Sequence, residues 1–182
     1  MLLLGHGHQH FSDIQKLPNL HAMIALLRDG FHPQSEGGSI ELAGDGTPII
    51  DYVINDYLWD GVRRSWLSMA EIQFAAGAKA VRASHVDSPW FTSWEEAKAG
   101  INALEFRSNA FTAGSAHCMG GLTMGEDQTR CLVDSNGKYH HLDNLYVFDG
   151  SVFPTSIGAN PQLSIYGMAC KQANKLLETL KA

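Results

Sequence analysis

The stretch Asn144-Leu-Tyr-Val-Phe-Asp149-Gly150, followed by Asn160-Pro161-Gln162, decides how the C-terminal part of the chain folds. The run over 144–149 is apolar almost throughout, which is typical of a strand buried on both faces. Asn160 is a favoured N-cap residue, and Pro161 suits the first helical position. An apolar stripe at helical spacing then follows: Leu163, Tyr166, Ala169, Ala173, Leu176 and Leu180. The sequence therefore predicts a buried strand, a turn and a long closing helix.

Upstream of this stretch, the apolar spacing predicts a mostly extended segment over 1–55, with helices after it. Asp45-Gly46 lies between the apolar runs 39–42 and 47–53, which is a strong hairpin signal. Over 56–81 the apolar period becomes helical. Ser93-Trp-Glu-Glu96 has the pattern of a capping box and predicts a helix over 94–106. Asn136-Gly137 predicts a second hairpin within 131–150.

Composition and charge exclude several classes of protein. The 182 residues carry 13 Lys+Arg against 19 Asp+Glu, so the net charge is −6, and 45% of the residues are hydrophobic. These values are typical of one globular domain with a real core. An acidic chain without a Lys/Arg cluster argues against nucleic acid or an anionic membrane as the main partner. No apolar run approaches the roughly 20 residues that span a bilayer.

The N-terminus and the cysteines favour an intracellular protein. Met1-Leu-Leu-Leu-Gly5 is too short for the apolar core of a signal peptide and lacks a basic flank. Cys118, Cys131 and Cys170 are odd in number and widely spaced, which disfavours a disulfide framework. We therefore expect a cytoplasmic location.

Three histidines near the N-terminus allow two interpretations. His6, His8 and His10 alternate, so a strand would place all three on one face, where they could bind zinc or copper. The absence of a nearby Cys or carboxylate at ligand spacing favours histidines that line a cavity or the surface. The same stretch matches GxGxx, but His10 replaces the third glycine of a dinucleotide-binding fingerprint. No other GxGxxG or P-loop pattern occurs in the sequence.

The residues best suited to chemistry lie between 115 and 170. Ser115-Ala-His117-Cys-Met-Gly120 places one histidine in a glycine-rich segment. The predicted strand ends at Asp149-Gly150, and the predicted closing helix begins at Asn160 with free amides and a positive dipole. If the glycine-rich loop folds back, a proton acceptor stands beside a site for an anionic or electron-rich ring. His117 could equally be a structural histidine, and Asn160 only an N-cap.

Three blocks in register resemble the C-terminal signature of the glucose–methanol–choline (GMC) oxidoreductase family. The blocks are His117-Cys-Met-Gly120-Gly-Leu-Thr-Met124-Gly125, Asn144-Leu-Tyr-Val-Phe-Asp149-Gly150-Ser151-Val-Phe-Pro154 and Asn160-Pro161-Gln162. Their order and spacing and the closing helix all match the family pattern. The stretch Met69-Ala-Glu-Ile-Gln-Phe-Ala-Ala-Gly-Ala-Lys79 is also similar to a bacterial branch related to long-chain alcohol oxidases.

The resemblance implies an α+β fold. Its parts are an antiparallel sheet of a substrate-binding domain, covered by helices, and a C-terminal strand and helix that would complete an FAD-binding α/β domain. It implies a substrate-binding-like region over 1–143 and a segment over 144–182 that returns to the FAD-binding domain. The sequence lacks the family's opening GxGxxG fingerprint, so it resembles the C-terminal part only. It would then need an FAD-binding half, in trans or in a longer parent chain.

The resemblance also implies FAD-dependent oxidation of an alcohol, with hydride transfer to flavin N5. It makes His117 the general base and Asn160 its partner at the substrate oxygen. The residues implied to contact FAD are Asp149, Gly150, Asn160, Pro161 and Gln162. The family's Thr-Cys is Gly121-Leu122 here, which changes the local flavin contacts. A non-catalytic remnant or partner-binding module is the alternative, and neither the alcohol nor the final electron acceptor follows from the sequence.

Overall fold

The computed structural model describes residues 6–181 and has an α+β fold. Its elements are α1 (Gly7–Gln15), β1 (Gly38–Leu42), β2 (Pro48–Tyr52), α2 (Asp56–Ala75), α3 (Trp94–Ala103) and α4 (Gln162–Lys181). Short 3-10 turns occupy Leu17–Asn19 and Gly150–Val152. The described residues form two compact units, the first from 6–27 and 38–114, the second from 28–37 and 115–181.

The hairpin predicted around Asp45-Gly46 is confirmed. β1 and β2 pair antiparallel, with Ile40 opposite Ile50 and Leu42 opposite Pro48. Gly46 takes φ +83°, a left-handed conformation that glycine adopts without strain. Paired residues share one face of a hairpin, so these four apolar side chains lie together. That face is open to solvent, since Ile40 is 67% and Ile50 70% exposed.

The core of the first unit lies between α2 and α3. α2 buries Val62, Trp66 and Ala70, which recur every four residues, and these pack with Ala97 and Ile101 of α3. The predicted helix over 56–81 is confirmed but ends at Ala75. Gly77, at φ +90°, ends the helix.

The capping box of α3 is confirmed with one difference in its geometry. The Ser93 side chain accepts a hydrogen bond from the Glu96 amide, as the pattern predicts. The Glu96 carboxylate reaches one residue further back and accepts from both the amide and the hydroxyl of Thr92, each at 2.9 Å. These bonds hold the pKa of Glu96 below its usual value. α3 ends at Ala103, three residues earlier than the predicted 106.

The prediction of extended structure over 1–55 is wrong at α1. His6 precedes this helix while His8 and His10 lie within it, so the three do not share the face that a strand would give them. Among residues 6–181, no group of His, Cys, Asp and Glu side chains could hold a metal ion. Residues 1–5, on which the argument about a signal peptide rests, lie outside the described range.

A buried ion pair ties α1 into the first unit. Asp13 is 2% exposed and accepts hydrogen bonds from the Arg82 guanidinium and from the Trp90 indole at 3.0 Å. Lys16 adds a third bond at 3.3 Å. Both charged partners come from the first unit, and the Arg82 side chain is only 9% exposed. Asp13 and Arg82 lie 69 residues apart in sequence, so the local sequence pattern could not predict this contact, which holds α1 in place.

The predicted strand over 144–149 is wrong in the second unit. An isolated bridge joins Lys138 to Tyr146, and no regular strand is assigned within 115–181. The turn at Asn136-Gly137 is present, with the Asp134 amide donating to the Lys138 carbonyl at 2.8 Å. The run has a backbone neighbour on one side, because Tyr139 donates to the Leu145 carbonyl at 2.9 Å and Val147 to the Gly137 carbonyl at 2.8 Å. Leu145 is 41% exposed rather than buried.

None of the helices within 6–181 combines the length and the apolar character that a membrane span requires.

The closing helix is confirmed, but its packed face differs from the predicted stripe. Leu163 and Leu180 are 83% and 73% exposed. The buried side is marked by Gln172, which is 1% exposed and whose amide donates to the Met124 sulfur at 3.4 Å. Ile165, seven residues earlier and two turns along the same face, contacts Gly150. Of the predicted stripe, Ala169, Ala173 and Leu176 are therefore half-buried, while Leu163, Tyr166 and Leu180 are exposed within this unit.

Candidate functional site

The loop that carries His117 runs beside the 3-10 turn Gly150–Val152 of the second unit. The Leu122 amide donates to the Ser151 carbonyl at 2.9 Å, and the Met124 amide to Val152 at 3.2 Å. These backbone bonds fold the glycine-rich loop back onto the predicted Asp149-Gly150 corner. The loop therefore does fold back onto this corner, within one compact unit, which is the condition that the sequence-based argument for a shared site set.

Gly150 lies where a larger residue does not fit. A Cβ built on it meets the Cys118 carbonyl oxygen at 2.9 Å and the Ile165 side chain at 3.2 Å. The turn, the residue next to His117 and the first turn of α4 therefore touch at this glycine. Asp149 caps the same turn, because its carboxylate accepts from the Ser151 amide at 2.8 Å.

His117 and Asn160 line one cavity of about 340 Å³. This volume lies at the small end of the range, about 300–1,000 Å³, that small-molecule sites occupy. The cavity's walls are Ala116, His117, Asn160, Pro161, Gln162, Ile165 and Tyr166. Four of the six residues that sequence analysis singled out therefore share the cavity, while Asp149 and Gly150 form the adjoining turn.

The N-terminus of α4 opens onto the same cavity. The Pro161 carbonyl accepts the first helical bond, from the Ile165 amide at 2.9 Å. Pro161, predicted as the first helical residue, therefore precedes the helix, which begins one residue later, at Gln162. With the helix beginning at Gln162, the N-cap position belongs to Pro161, so Asn160 is not the N-cap that the alternative interpretation required. Its amide is thus available to a ligand, beside the positive end of the helix dipole.

The hydrogen bonds around His117 involve its backbone and leave the nitrogens of its imidazole ring available to a ligand. Its backbone amide donates to the Ser115 hydroxyl at 3.2 Å, which fixes the loop locally. Within the described part of the chain, no side-chain bond to the ring occurs. A half-buried imidazole of this kind can accept a proton from a molecule in the cavity.

Tyr166 is a cavity residue that sequence analysis missed. The Gln162 side-chain amide donates to its hydroxyl at 2.6 Å. The sequence-based stripe assigned Tyr166 to the apolar core face, but the side chain is 59% exposed. The signal that could have found it is the spacing of four residues from Gln162, which brings two side chains together on a helix.

Replacing Gly150 with Ala should destabilise the second unit by about 1–3 kcal/mol, because the new methyl group must displace backbone beside His117. Gly121→Ala is the matched control, since a Cβ there meets no heavy atom within 4 Å. Urea unfolding of both variants measures the difference. Equal stability of the two variants would show that the contact at Gly150 does not hold the loop.

The chain belongs to the GMC oxidoreductase family, whose model matches residues 33–169. This family consists of FAD-containing oxidoreductases that act on CH–OH groups. The match spans both compact units and includes the whole cavity.

Among its relatives, the chain is 37% identical to a 6'''-hydroxyparomomycin C oxidase of Streptomyces lividus, over 46% of this chain and 15% of that protein. It is 29% identical to an uncharacterized GMC-type oxidoreductase of Sinorhizobium fredii, over 80% of this chain and 28% of that protein. It is 25% identical to a long-chain-alcohol oxidase of Arabidopsis thaliana, over 81% of this chain and 20% of that protein. The chain therefore spans less than a third of the length of these relatives.

Proposed function

We propose that this chain is the C-terminal catalytic part of an FAD-dependent oxidoreductase that oxidises the CH–OH group of an alcohol. The observation that carries the proposal is the shared cavity of His117 and Asn160 at the N-terminus of α4. Family membership over 33–169 supports the reaction class.

In this proposal, His117 removes the proton of the substrate hydroxyl at a ring nitrogen. The Asn160 amide donates a hydrogen bond to the same oxygen and orients it toward the imidazole. The lining of one cavity by both side chains supports this division of roles. FAD, when bound, supplies the acceptor for the hydride that leaves the alcohol carbon.

The residues present fit only the reacting end of FAD. The cavity of about 340 Å³ has room for a small alcohol, but not for a whole dinucleotide. Pro161, Gln162 and the free amides of α4 would contact the ring at the edge of this cavity, where the helix dipole favours negative charge. Asp149 and Gly150 would contact the cofactor beside the cavity. The remainder of FAD would lie in an FAD-binding half, in trans or in a longer parent chain.

Exposed apolar surface supports the need for such a partner. In the first unit, one face of the hairpin presents Ile40, Ile50 and Leu42 to solvent. A two-stranded hairpin is marginal in water unless its apolar face is covered. In the second unit, Leu163 and Leu180 of α4 are also open. The same exposure favours the alternative function, a partner-binding module without redox activity.

Two kinds of alcohol are candidates for the substrate. The names of two relatives point to different alcohols, since one is a 6'''-hydroxyparomomycin C oxidase and another a long-chain-alcohol oxidase. Several aromatic residues would suit a long apolar alcohol as well as ordinary core packing, and they do not decide between the two: Trp59, Trp66, Trp90, Phe91 and Trp94. Trp66 packs in the core of the first unit, against Phe106 and Phe111.

Alcohol-dependent reduction of a redox dye tests the proposal. The chain is co-expressed with the FAD-binding half encoded upstream in the same genome, and the purified complex is supplied with primary and secondary alcohols. We expect dye reduction that requires both parts and an alcohol. A complex that binds FAD but oxidises no alcohol would instead support the partner-binding module.

A further inference from the structure

We propose that Arg28 is a positioning residue for Asn160, because its side chain supports the loop over 154–160 that leads into the cavity. This inference rests on the proposed function, in which Asn160 orients the reacting hydroxyl. Arg28 precedes the family match over 33–169 and does not line the cavity, so it acts through the loop rather than on a ligand.

The loop over 154–160 has little internal structure to fix its shape. Within the described part of the chain, none of its residues takes part in a backbone–backbone hydrogen bond. The Gly158 amide donates to the Ser156 hydroxyl at 3.3 Å, which is a bond within the loop itself. The position of Asn160 at the end of the loop therefore depends on what packs against the loop.

A segment from far upstream packs against this loop. Residues 28–37 belong to the second unit, although the residues on both sides of them belong to the first. Gly30 is buried, and a Cβ built on it would collide with the Thr155 hydroxyl and lie 3.4 Å from the Ser156 amide nitrogen. The Gly30 amide donates to the Ser35 hydroxyl at 3.2 Å, which closes the segment into a turn. The backbone of the segment therefore lies directly against the loop.

The Arg28 side chain extends this contact to Gly158. Gly158 adopts φ +72°, a left-handed conformation that glycine takes without strain. A Cβ built on Gly158 would collide with Cδ of Arg28 and lie 2.8 Å from its Nη1. The aliphatic stem and the guanidinium of Arg28 therefore fill the space where another residue would place its side chain. Only Ala159 separates this contact from Asn160.

Phe31 holds the Arg28 guanidinium in this place. The guanidinium carbon lies 5.0 Å from the centroid of the Phe31 ring, within the range of a cation–π interaction. Phe31 adopts φ +56°, which is rare for a bulky residue and persists only where the surrounding structure enforces it. The ring and the guanidinium therefore form a defined support for the loop.

A double-mutant cycle in the co-expressed complex tests the inference. Arg28→Ala should lower kcat for alcohols by about 10–100-fold, the effect expected when a group that orients the substrate is misplaced. In the Asn160→Ala background, the same substitution should have little further effect, because the group that Arg28 positions is already gone. Additive losses would overturn the inference, since Arg28 would then act independently of Asn160.

Two further variants test how Arg28 acts. Arg28→Lys keeps an aliphatic stem and a positive charge over Gly158, so it should retain most of the activity. A loss as large as that of Arg28→Ala would overturn the role of the stem as a support. Arg130→Ala is the matched control, because Arg130 is exposed, lies in the same unit and does not line the cavity. It should leave kcat unchanged, and a loss equal to that of Arg28→Ala would contradict the inference.

NMR of the side-chain amides separates this inference from the proposed function. In the isotope-labelled chain of 182 residues, the Asn160 amide signals are those that disappear in Asn160→Ala. We expect them to shift in Arg28→Ala and to stay in place in Arg130→Ala. Unchanged signals in Arg28→Ala would overturn the inference, even if the complex oxidises alcohols. Shifted signals, with a complex that oxidises no alcohol, would support the positioning of Asn160 and overturn the oxidoreductase proposal instead.

Discussion

The His117→Ala variant of the co-expressed complex is expected to oxidise alcohols about 10²–10⁴-fold more slowly than wild type, the usual contribution of a positioned general base. The loss should fall on kcat, because proton removal belongs to the chemical step. FAD content should stay the same, since the side chain faces the alcohol in the proposed arrangement. Steady-state kinetics together with the flavin absorbance of each preparation measure both quantities.

His141→Ala is the control for this variant. His141 is exposed, lies in the same unit and does not line the cavity. Added imidazole should restore part of the activity of His117→Ala and none of any loss in the control. Full activity of His117→Ala would remove the histidine from the mechanism.

The Asp13→Ala variant is expected to lose about 3–5 kcal/mol of unfolding free energy, the usual effect of breaking a buried ion pair from one side. The Arg82 side chain is only 9% exposed, so its guanidinium would be left buried without the Asp13 carboxylate as its counter-charge. The Trp90 indole would lose its acceptor as well. Urea unfolding followed by tryptophan fluorescence measures the change.

Asp60→Ala is the matched control, because Asp60 pairs with Arg64 at the surface of α2. Exposed pairs of this kind contribute about 0–1 kcal/mol. A similar loss in both variants would show that burial does not set the strength of the Asp13 contact.

The Asp13 contact also predicts a pH dependence. Burial raises the pKa of Asp13, but hydrogen bonds from Trp90 and Lys16 and the charge of Arg82 outweigh it and leave the pKa below its usual value. The contribution to stability is therefore present above the unfolded-state pKa of about 3.9 and is lost as the pH falls through the lower folded-state pKa. Wild type should lose more stability than Asp13→Ala between about pH 5 and pH 2. Parallel losses in the two proteins would contradict this assignment.

Elements with local signals were predictable from the sequence. The hairpin follows from Asp45-Gly46 between apolar runs, and α3 from the capping box that starts at Ser93. Each signal acts within a few residues, so the rest of the fold does not alter it. α2 was found for the same reason, although its end depended on Gly77.

Elements fixed by distant contacts were not predictable. α1 is held through Asp13 to Arg82 and Trp90, far away in sequence. The run over 144–149 has the composition of a buried strand, but the second unit provides only an isolated bridge at Tyr146. An apolar composition indicates burial, but within residues 6–181 Leu145 is 41% exposed and the next three residues are only half-buried.

The sequence predicted which residues belong to the candidate site, but not the cavity that they line or all of its walls. Motif order placed His117 and Asn160 in one site, and the cavity brings them together. Tyr166 was missed because its spacing fits an apolar stripe as well as a pair with Gln162. The position of Tyr166 fits both interpretations, and only the 59% exposure of its side chain in the structure separates them.

The visible absorption spectrum of the purified chain, alone and co-expressed with an FAD-binding half found upstream in the same genome, tests the central claim most directly. The account predicts flavin absorbance only in the complex, and bleaching of that absorbance when an alcohol is added without oxygen. A complex that forms but holds no flavin, or whose flavin keeps its colour with every alcohol supplied, would contradict the claim that His117 and Asn160 form an oxidoreductase site.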